Sequence, residues 1–290
     1  MDILFHLGAH ATDDGLLIRS ILRNRARLAE DGIGVPGPGR YRELLGQVST
    51  RLRGAAADAD TEAMLLEVIR DDDTADRIVL SNENFLCRRE MALSSEGLYA
   101  KAAKSGWLRN CFPGHRVEFA LALRNPATLI PALLSGCDEA DRHEILRDLP
   151  LDQLAWADVV AEILEANPGC RVIAWCHEDS PFIWAEIMRE ITAHDPFLEL
   201  DGGFDMLEQI MSKPGLTRLS EFLAAHPDLT EARKRQAVSA FLDAHALSDA
   251  IETEIDLPGW TADTVRALTH GYDEDVSRVA ALPGVTFIAP

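Results

Sequence analysis

Four short, almost unbroken apolar runs constrain this chain more than any other feature. They lie at 3–7, 77–81, 117–123 and 171–175, and stretches of helical periodicity separate them. A strand with one wet face alternates polar and apolar residues. A run apolar at every position has both faces covered, which is the signature of a parallel strand between helix layers. Strands alternating with helices read as βαβ units with right-handed crossovers. The expected fold class is therefore α/β, three layers around a mostly parallel sheet.

Between these strands the spacing predicts helices over 14–31, 42–53, 61–72, 96–108, 139–149, 152–166 and 181–193. Another begins at Pro126, and Gly32 and the 34–39 stretch read as a stop and a loop. From about 203 to 282 the pattern is helical or connecting, and 285–288 reads as a closing edge strand. No internal repeat or low-complexity linker interrupts the chain. One α/β domain over 1–290 with a helix-rich C-terminal part is the simplest division.

Composition narrows the function classes. The 47% hydrophobic content suits a substantial core, and the net charge of −20 disfavours nucleic acid and anionic membranes as partners. No apolar run nears the roughly 20 residues that span a bilayer, and no basic stretch precedes an apolar one at the N-terminus. The five cysteines are too scattered for a disulfide framework. Reduced thiols in a cytoplasmic protein are the expectation.

In an α/β sheet, functional residues collect beyond the carboxyl ends of the strands. That rule selects His6, His10, Thr12, Asp13 and Asp14 after the first run, and Ser81, Asn82, Glu83 and Asn84 after the second. It adds Arg124 and Asn125 after the third, and His177, Glu178 and Asp179 after the fourth. Strand, tight turn, helix at the N-terminus is also the layout of a phosphate-binding loop. Thr12-Asp13-Asp14 stands where such a loop wants glycines, a lysine and hydroxyls. As local structure, Thr12 suits a helix N-cap and the two aspartates suit the helix dipole, at roughly 0.3–1 kcal/mol per carboxylate. Asp13 and Asp14, with His10 or Glu178, are also hard-cation ligand types, which leaves a divalent-metal site as an alternative.

His6-Leu7-Gly8-Ala9-His10 with the turn and helix after it resembles the start of bacterial sulfotransferase-like proteins. Ser81-Asn82-Glu83, Leu123-Arg124-Asn125-Pro126, the stretch from Val172 to Trp184, and Tyr272-Asp273-Glu274-Asp275-Val276 resemble later segments of that family. The resemblance implies a P-loop-like fold and transfer of a sulfuryl group from 3′-phosphoadenosine 5′-phosphosulfate (PAPS) to a hydroxyl or amine. It implies Glu83 as the candidate base; His10, at the strand end, is a lesser catalytic candidate. Ala11, Thr12, Asp13, Asp14 and Gly15 fall on the donor-loop positions, and Arg124 falls on the 3′-phosphate arginine.

Aligned on His10, Ala11 takes the lysine position, Asp13 the glycine position, and Asp14 and Gly15 the hydroxyl positions. Ala132 takes the place of the 3′-phosphate serine. Two like charges about 4 Å apart repel by roughly 4 kcal/mol at an effective dielectric of 20. A lost lysine forfeits about 1.5–3 kcal/mol more. The expectation is a sulfotransferase-like protein impaired in PAPS binding, needing no cofactor and acting as a pseudoenzyme or a binder of a small molecule or glycan. The alternative is an active PAPS-dependent enzyme using cations such as Arg19 or Arg124.

Overall fold

The computed structural model describes residues 1–70, 74–251, 255 and 257–290. The apolar runs form a six-stranded sheet in which every neighbouring pair is parallel. Its strands are β1 (Asp2–Gly8), β2 (Ile33–Gly34), β3 (Arg77–Ser81), β6 (Arg116–Leu123), β7 (Arg171–Cys176) and β8 (Val285–Ile288), and β4 (Leu93–Ser94) and β5 (Gly97–Leu98) pair as a separate antiparallel hairpin. The order across the large sheet is β2-β3-β1-β6-β7-β8. From β1 the chain crosses to the far edge for β2, returns with β3 beside β1, and then lays β6, β7 and β8 in turn on the other side of β1, which makes β1 the switch point where α/β sheets open a crevice.

The two sheet faces account for the apolar runs. Ile3, Phe5, Leu7, Leu80, Phe119 and Leu121 pack with residues of the helices Arg42–Leu52, Ala59–Ile69, Pro126–Leu134, Trp156–Ala166 and Ala262–Ala281. Leu4, Val79, Ala120, Ala122, Ile173 and Trp175 pack on the other face with the helices Leu16–Arg23 and Ser180–Thr192. Each fully buried leucine, isoleucine or phenylalanine stabilises by about 1.5–3 kcal/mol. Ala120 and Ala122, both small, sit on the strand between β1 and β7. Over that low floor the His6 ring of β1 stacks with Trp175 of β7, centroids 6.0 Å apart.

Four of the expected elements differ, one of them the 152–166 helix, which begins at Trp156 after a separate turn at Leu151–Gln153. The 14–31 helix begins at Leu16 and breaks at Asn24 into Leu16–Arg23 and Arg25–Glu30. Asn24 is buried, and its side-chain amide donates to the carbonyls of Ser20 and Asp201 while its Oδ1 accepts from the Asp201 amide. That tether to a distant segment competes with continuing the helix. The 96–108 stretch is not one helix. Gly97 (φ 112°) and Tyr99 (φ 47°) have left-handed backbone, so the chain runs through β5 and a 3-10 turn before the helix Ser105–Arg109. The expected 61–72 helix spans Ala59–Ile69, and positions 71 and 72 lie outside the described residues.

The C-terminal stretch is helical as expected, with Asp205–Ile210, Lys213–Ala225, Glu231–His245 and Ala262–Ala281 its main segments. Leu207, Met211, Leu219 and Val238 form a small core of their own. Val285–Ile288 closes the sheet as an edge strand parallel to β7. Among the described residues, no helix is long and apolar enough to cross a membrane.

Candidate functional site

A cavity of about 320 Å³ opens at the carboxyl ends of β1 and β3, where the switch-point rule places it. His6 and Gly8 line it from β1, and Ser81 and Glu83 from the end of β3. Asp13, Asp14 and Gly15 enter from the turn, Ile18, Arg19 and Leu22 from the helix Leu16–Arg23, Pro38 from the 3-10 turn after β2, and Arg42 from the start of the helix Arg42–Leu52. Gly8 (φ 80°) is required there: a Cβ on it would lie 2.8 Å from the Glu83 Cα. A register shift between β1 and β6 falls at the same point, between His6 and Gly8. Such a bulge bends the strand out of the sheet and aims the Ala9–Asp14 turn at the crevice.

The turn solves its backbone problem with its own side chains. Thr12 is not the helix cap: its hydroxyl donates to the Ala9 carbonyl at 2.6 Å. Gly15 occupies the N-cap position, without a capping side chain. Asp13 does the capping instead, its Oδ2 accepting the Leu17 amide at 2.9 Å. The Asp13 carboxylate therefore satisfies a free N–H at the helix N-terminus, the group an anion would otherwise engage. The Arg19 guanidinium donates to the Asp14 carbonyl at 3.0 Å. Ala11 (φ 59°) is buried, so the position matching the family's lysine faces the interior with strained backbone.

Arg124 does not line this cavity. It donates to the Ala11 carbonyl and, through Nε, to the Thr128 hydroxyl at 3.1 Å. Burial pushes its pKa down, with Glu178 and Asp14 opposing. The Ala132 carbonyl, at the place of the expected phosphate serine, accepts from Arg89. Glu178 is a strap: Oε1 accepts the Asn125 amide at 2.8 Å, and Oε2 accepts the Tyr272 hydroxyl at 3.0 Å.

The histidines divide by role. His10 is buried, and its amide donates to the Tyr99 hydroxyl at 2.8 Å. That hydroxyl, 2.9 Å from Nδ1, can then donate to the ring, which leaves Nε2–H to donate to Asn84 Oδ1 at 3.3 Å. Both ring nitrogens of His10 are thus engaged inside the protein, and burial lowers its pKa. His6 is 2% exposed, with Nδ1 2.9 Å from the Ser81 hydroxyl and, among the described residues, no hydrogen-bond partner for Nε2. Burial lowers its pKa, partly opposed by Asp13 and reinforced by Arg42. His177, beside Arg124, also has a lowered pKa, from burial first.

Ser81 is held from three sides. The Tyr41 hydroxyl accepts its amide at 2.8 Å and donates to its carbonyl at 3.0 Å, and Arg42 Nε donates to that carbonyl at 3.0 Å. The Glu83 carboxylate makes no hydrogen bond or ion pair among the described residues, and it lines the cavity. A carboxylate so placed can accept a proton from a bound hydroxyl or amine, or hold an ammonium group. No three His, Cys, Asp or Glu side chains converge on a metal position among the described residues. Of the side chains expected as ligands, Asp13 is committed to Leu17, His10 to Tyr99 and Asn84, and Glu178 to Asn125 and Tyr272, which leaves Asp14 by itself.

Sequence reading selects Asp13, Asp14, Gly15 and Glu83, and the fold brings all four to one cavity. It places Arg124, Ala11, Thr12 and His10 beside them, where they instead hold the turn. It misses Arg42 and Tyr99. Arg42 lies in a basic stretch with nothing to single it out, and Tyr99 lies in a segment that reads as helix. A larger cleft of about 720 Å³ lies between the 151–158 stretch and the helix Ala262–Ala281. Its Arg278 is spent on Asp158 and Asp275, at 3.2 and 3.3 Å.

No protein-family model and no curated protein matches the chain. Among solved structures, a sulfotransferase from Alicyclobacillus acidocaldarius aligns over 86% of this chain and 98% of its own, with 14% identity and a TM-score of 0.38. Likeness at that level carries no activity from one chain to the other.

Proposed function

We propose that this chain is a sulfotransferase-like α/β protein whose first strand-end turn does not hold PAPS, and that it binds a small molecule in the cavity between β1 and β3. The observation that carries this reading is the Asp13 carboxylate on the Leu17 amide. A phosphosulfate brought to that helix end meets a carboxylate in place of a free N–H, with Asp14 beside it and no lysine in the turn. The residues present do not fit the donor, so no sulfuryl-transfer step is assigned to them. A cavity of about 320 Å³ favours a small molecule over a glycan chain.

Titration calorimetry with PAPS and with its desulfated product tests the reading. No heat of binding is expected from either at millimolar concentration. Binding of either with Kd below about 10 μM would overturn it. A second reading, an active PAPS-dependent enzyme, draws on Glu83, Arg19 and Arg42 lining one cavity. It requires turnover on hydroxyl or amine acceptors that Glu83→Gln abolishes.

A further inference from the structure

The cavity beside the turn has an unusual charge arrangement. Two guanidiniums, Arg19 and Arg42, line it together with three carboxylates, Asp13, Asp14 and Glu83. Among the described residues, these opposite charges form no ion pair with one another. Arg19 and Arg42 donate to main-chain carbonyls, of Asp14 and Ser81. Among the described residues, the carboxylates of Asp14 and Glu83 accept no hydrogen bond, and that of Asp13 accepts only the Leu17 amide. Exposed cations and anions of one cavity that stay apart leave both signs available to a ligand.

A second feature is independent of the rim. His6 is 2% exposed, lines the same cavity, and has Nε2 without a partner among the described residues. A buried ring nitrogen left unpaired costs about 1–3 kcal/mol. A ligand that hydrogen-bonds it recovers that cost. Nδ1, held at 2.9 Å from the Ser81 hydroxyl, fixes the ring's orientation, so the unpaired, buried nitrogen is preset rather than mobile.

We infer that this cavity receives a small zwitterion of amino-acid size, its acidic group on Arg19 and Arg42, its ammonium on Asp14 and Glu83, and a polar atom on His6 Nε2. The inference deepens the proposal of a small-molecule site and rests on it. A ligand carrying only negative charge meets three carboxylates, and one carrying only positive charge meets two guanidiniums. A molecule with both signs meets attraction at each end, which is how opposed charges produce specificity. The volume of about 320 Å³ stands at the small end of ligand pockets.

The test is titration calorimetry on the full chain with β-alanine, taurine and L-serine. Each is compared with two analogues that keep only its acid or only its amine. At least one zwitterion is expected to bind about tenfold more tightly than both of its analogues. Glu83→Gln should weaken that zwitterion about tenfold and leave the acid-only analogue unchanged, and Arg19→Gln should spare the amine-only analogue. Both residues are exposed, so neither change threatens the fold. Equal binding of zwitterions and analogues, or no binding by any, overturns the inference. PAPS titrated in parallel separates the two claims. PAPS binding defeats the proposed function, whereas silence from PAPS with no zwitterion preference defeats only this inference.

Discussion

At the scale of single residues, burial shapes the titration of several histidines, His6 of the cavity among them. Burial lowers the pKa of His6, His10, His115, His177 and His194 below the ordinary value of 6.5. The unfolded chain then binds more protons than the native one as pH falls below about 6.5, so stability rises with pH through that window. The contribution is complete above 6.5 and is lost as pH falls towards the folded values. Asp179 and Asp275 are shifted upward by burial and act in the opposite direction, closer to the carboxylate range. Urea unfolding at pH 7.0 and 5.5 should therefore show a lower midpoint at pH 5.5 with an unchanged slope. Each histidine that stays neutral contributes up to about 1.4 kcal/mol per pH unit. A midpoint that is flat or rises on acidification would contradict the burial of these rings. His6→Gln should flatten the dependence, because it removes one proton-linked group and keeps a polar atom near Ser81.

At the scale of elements, apolar patterning explains where the sequence was legible. Continuous apolar runs reveal β1, β3, β6 and β7 because strands buried on both faces leave no other reading. Asp58, Asn125, Asp138, Ser212, Thr230 and Thr261 cap the helices they precede through local hydrogen bonds. Long-range partners are not visible in this way. Asn24 breaks a helix because of Asp201, and Tyr99 leaves a helical pattern to reach His10. The helix Trp156–Ala166 has no side-chain cap from its own N-cap residue, Ala155. Asp275, on the helix Ala262–Ala281, supplies it across space, accepting the Trp156 amide at 2.5 Å and the Ala157 amide at 3.2 Å. The cap is a structural reason for an aspartate at this position, inside a segment that resembles one of the family's. Asp275→Ala strands those amides and should cost about 1–3 kcal/mol in urea unfolding. Asp275→Asn, which keeps an acceptor oxygen, should recover at least half of that. If alanine and asparagine are equally mild, the cap contributes little.

At the scale of the molecule, the sheet and the C-terminal helices are unequal partners. The sheet has a core on each face, whereas Leu207, Met211, Leu219 and Val238 are the buried apolar residues of the small cluster beyond it. So small a core cannot offset the ordering entropy of the helices Lys213–Ala225 and Glu231–His245 without attachment. Phe182 packs against both cores and provides part of that attachment. Arg235 adds an ion pair to Glu186 at 2.6 Å. The main polar anchor is Asp205, 4% exposed, which accepts from the Ser20 hydroxyl at 2.5 Å and from Arg23 through both oxygens, at 3.1 and 2.9 Å. Arg23 is half exposed and regains water when its partner is lost, so Asp205→Ala should cost about 1–3 kcal/mol rather than the full penalty of a broken buried pair. Ser20 and Arg23 belong to the helix after the carboxylate-bearing turn, so the anchor also fixes one wall of the cavity. Hydrogen exchange read by mass spectrometry separates local from global loss. In Asp205→Ala, amides of 205–245 should exchange faster, while those of β1, β3 and β6 keep their protection. Uniform acceleration across the sheet would mean that the helices and the sheet unfold as one unit, and that the small cluster is not separately marginal.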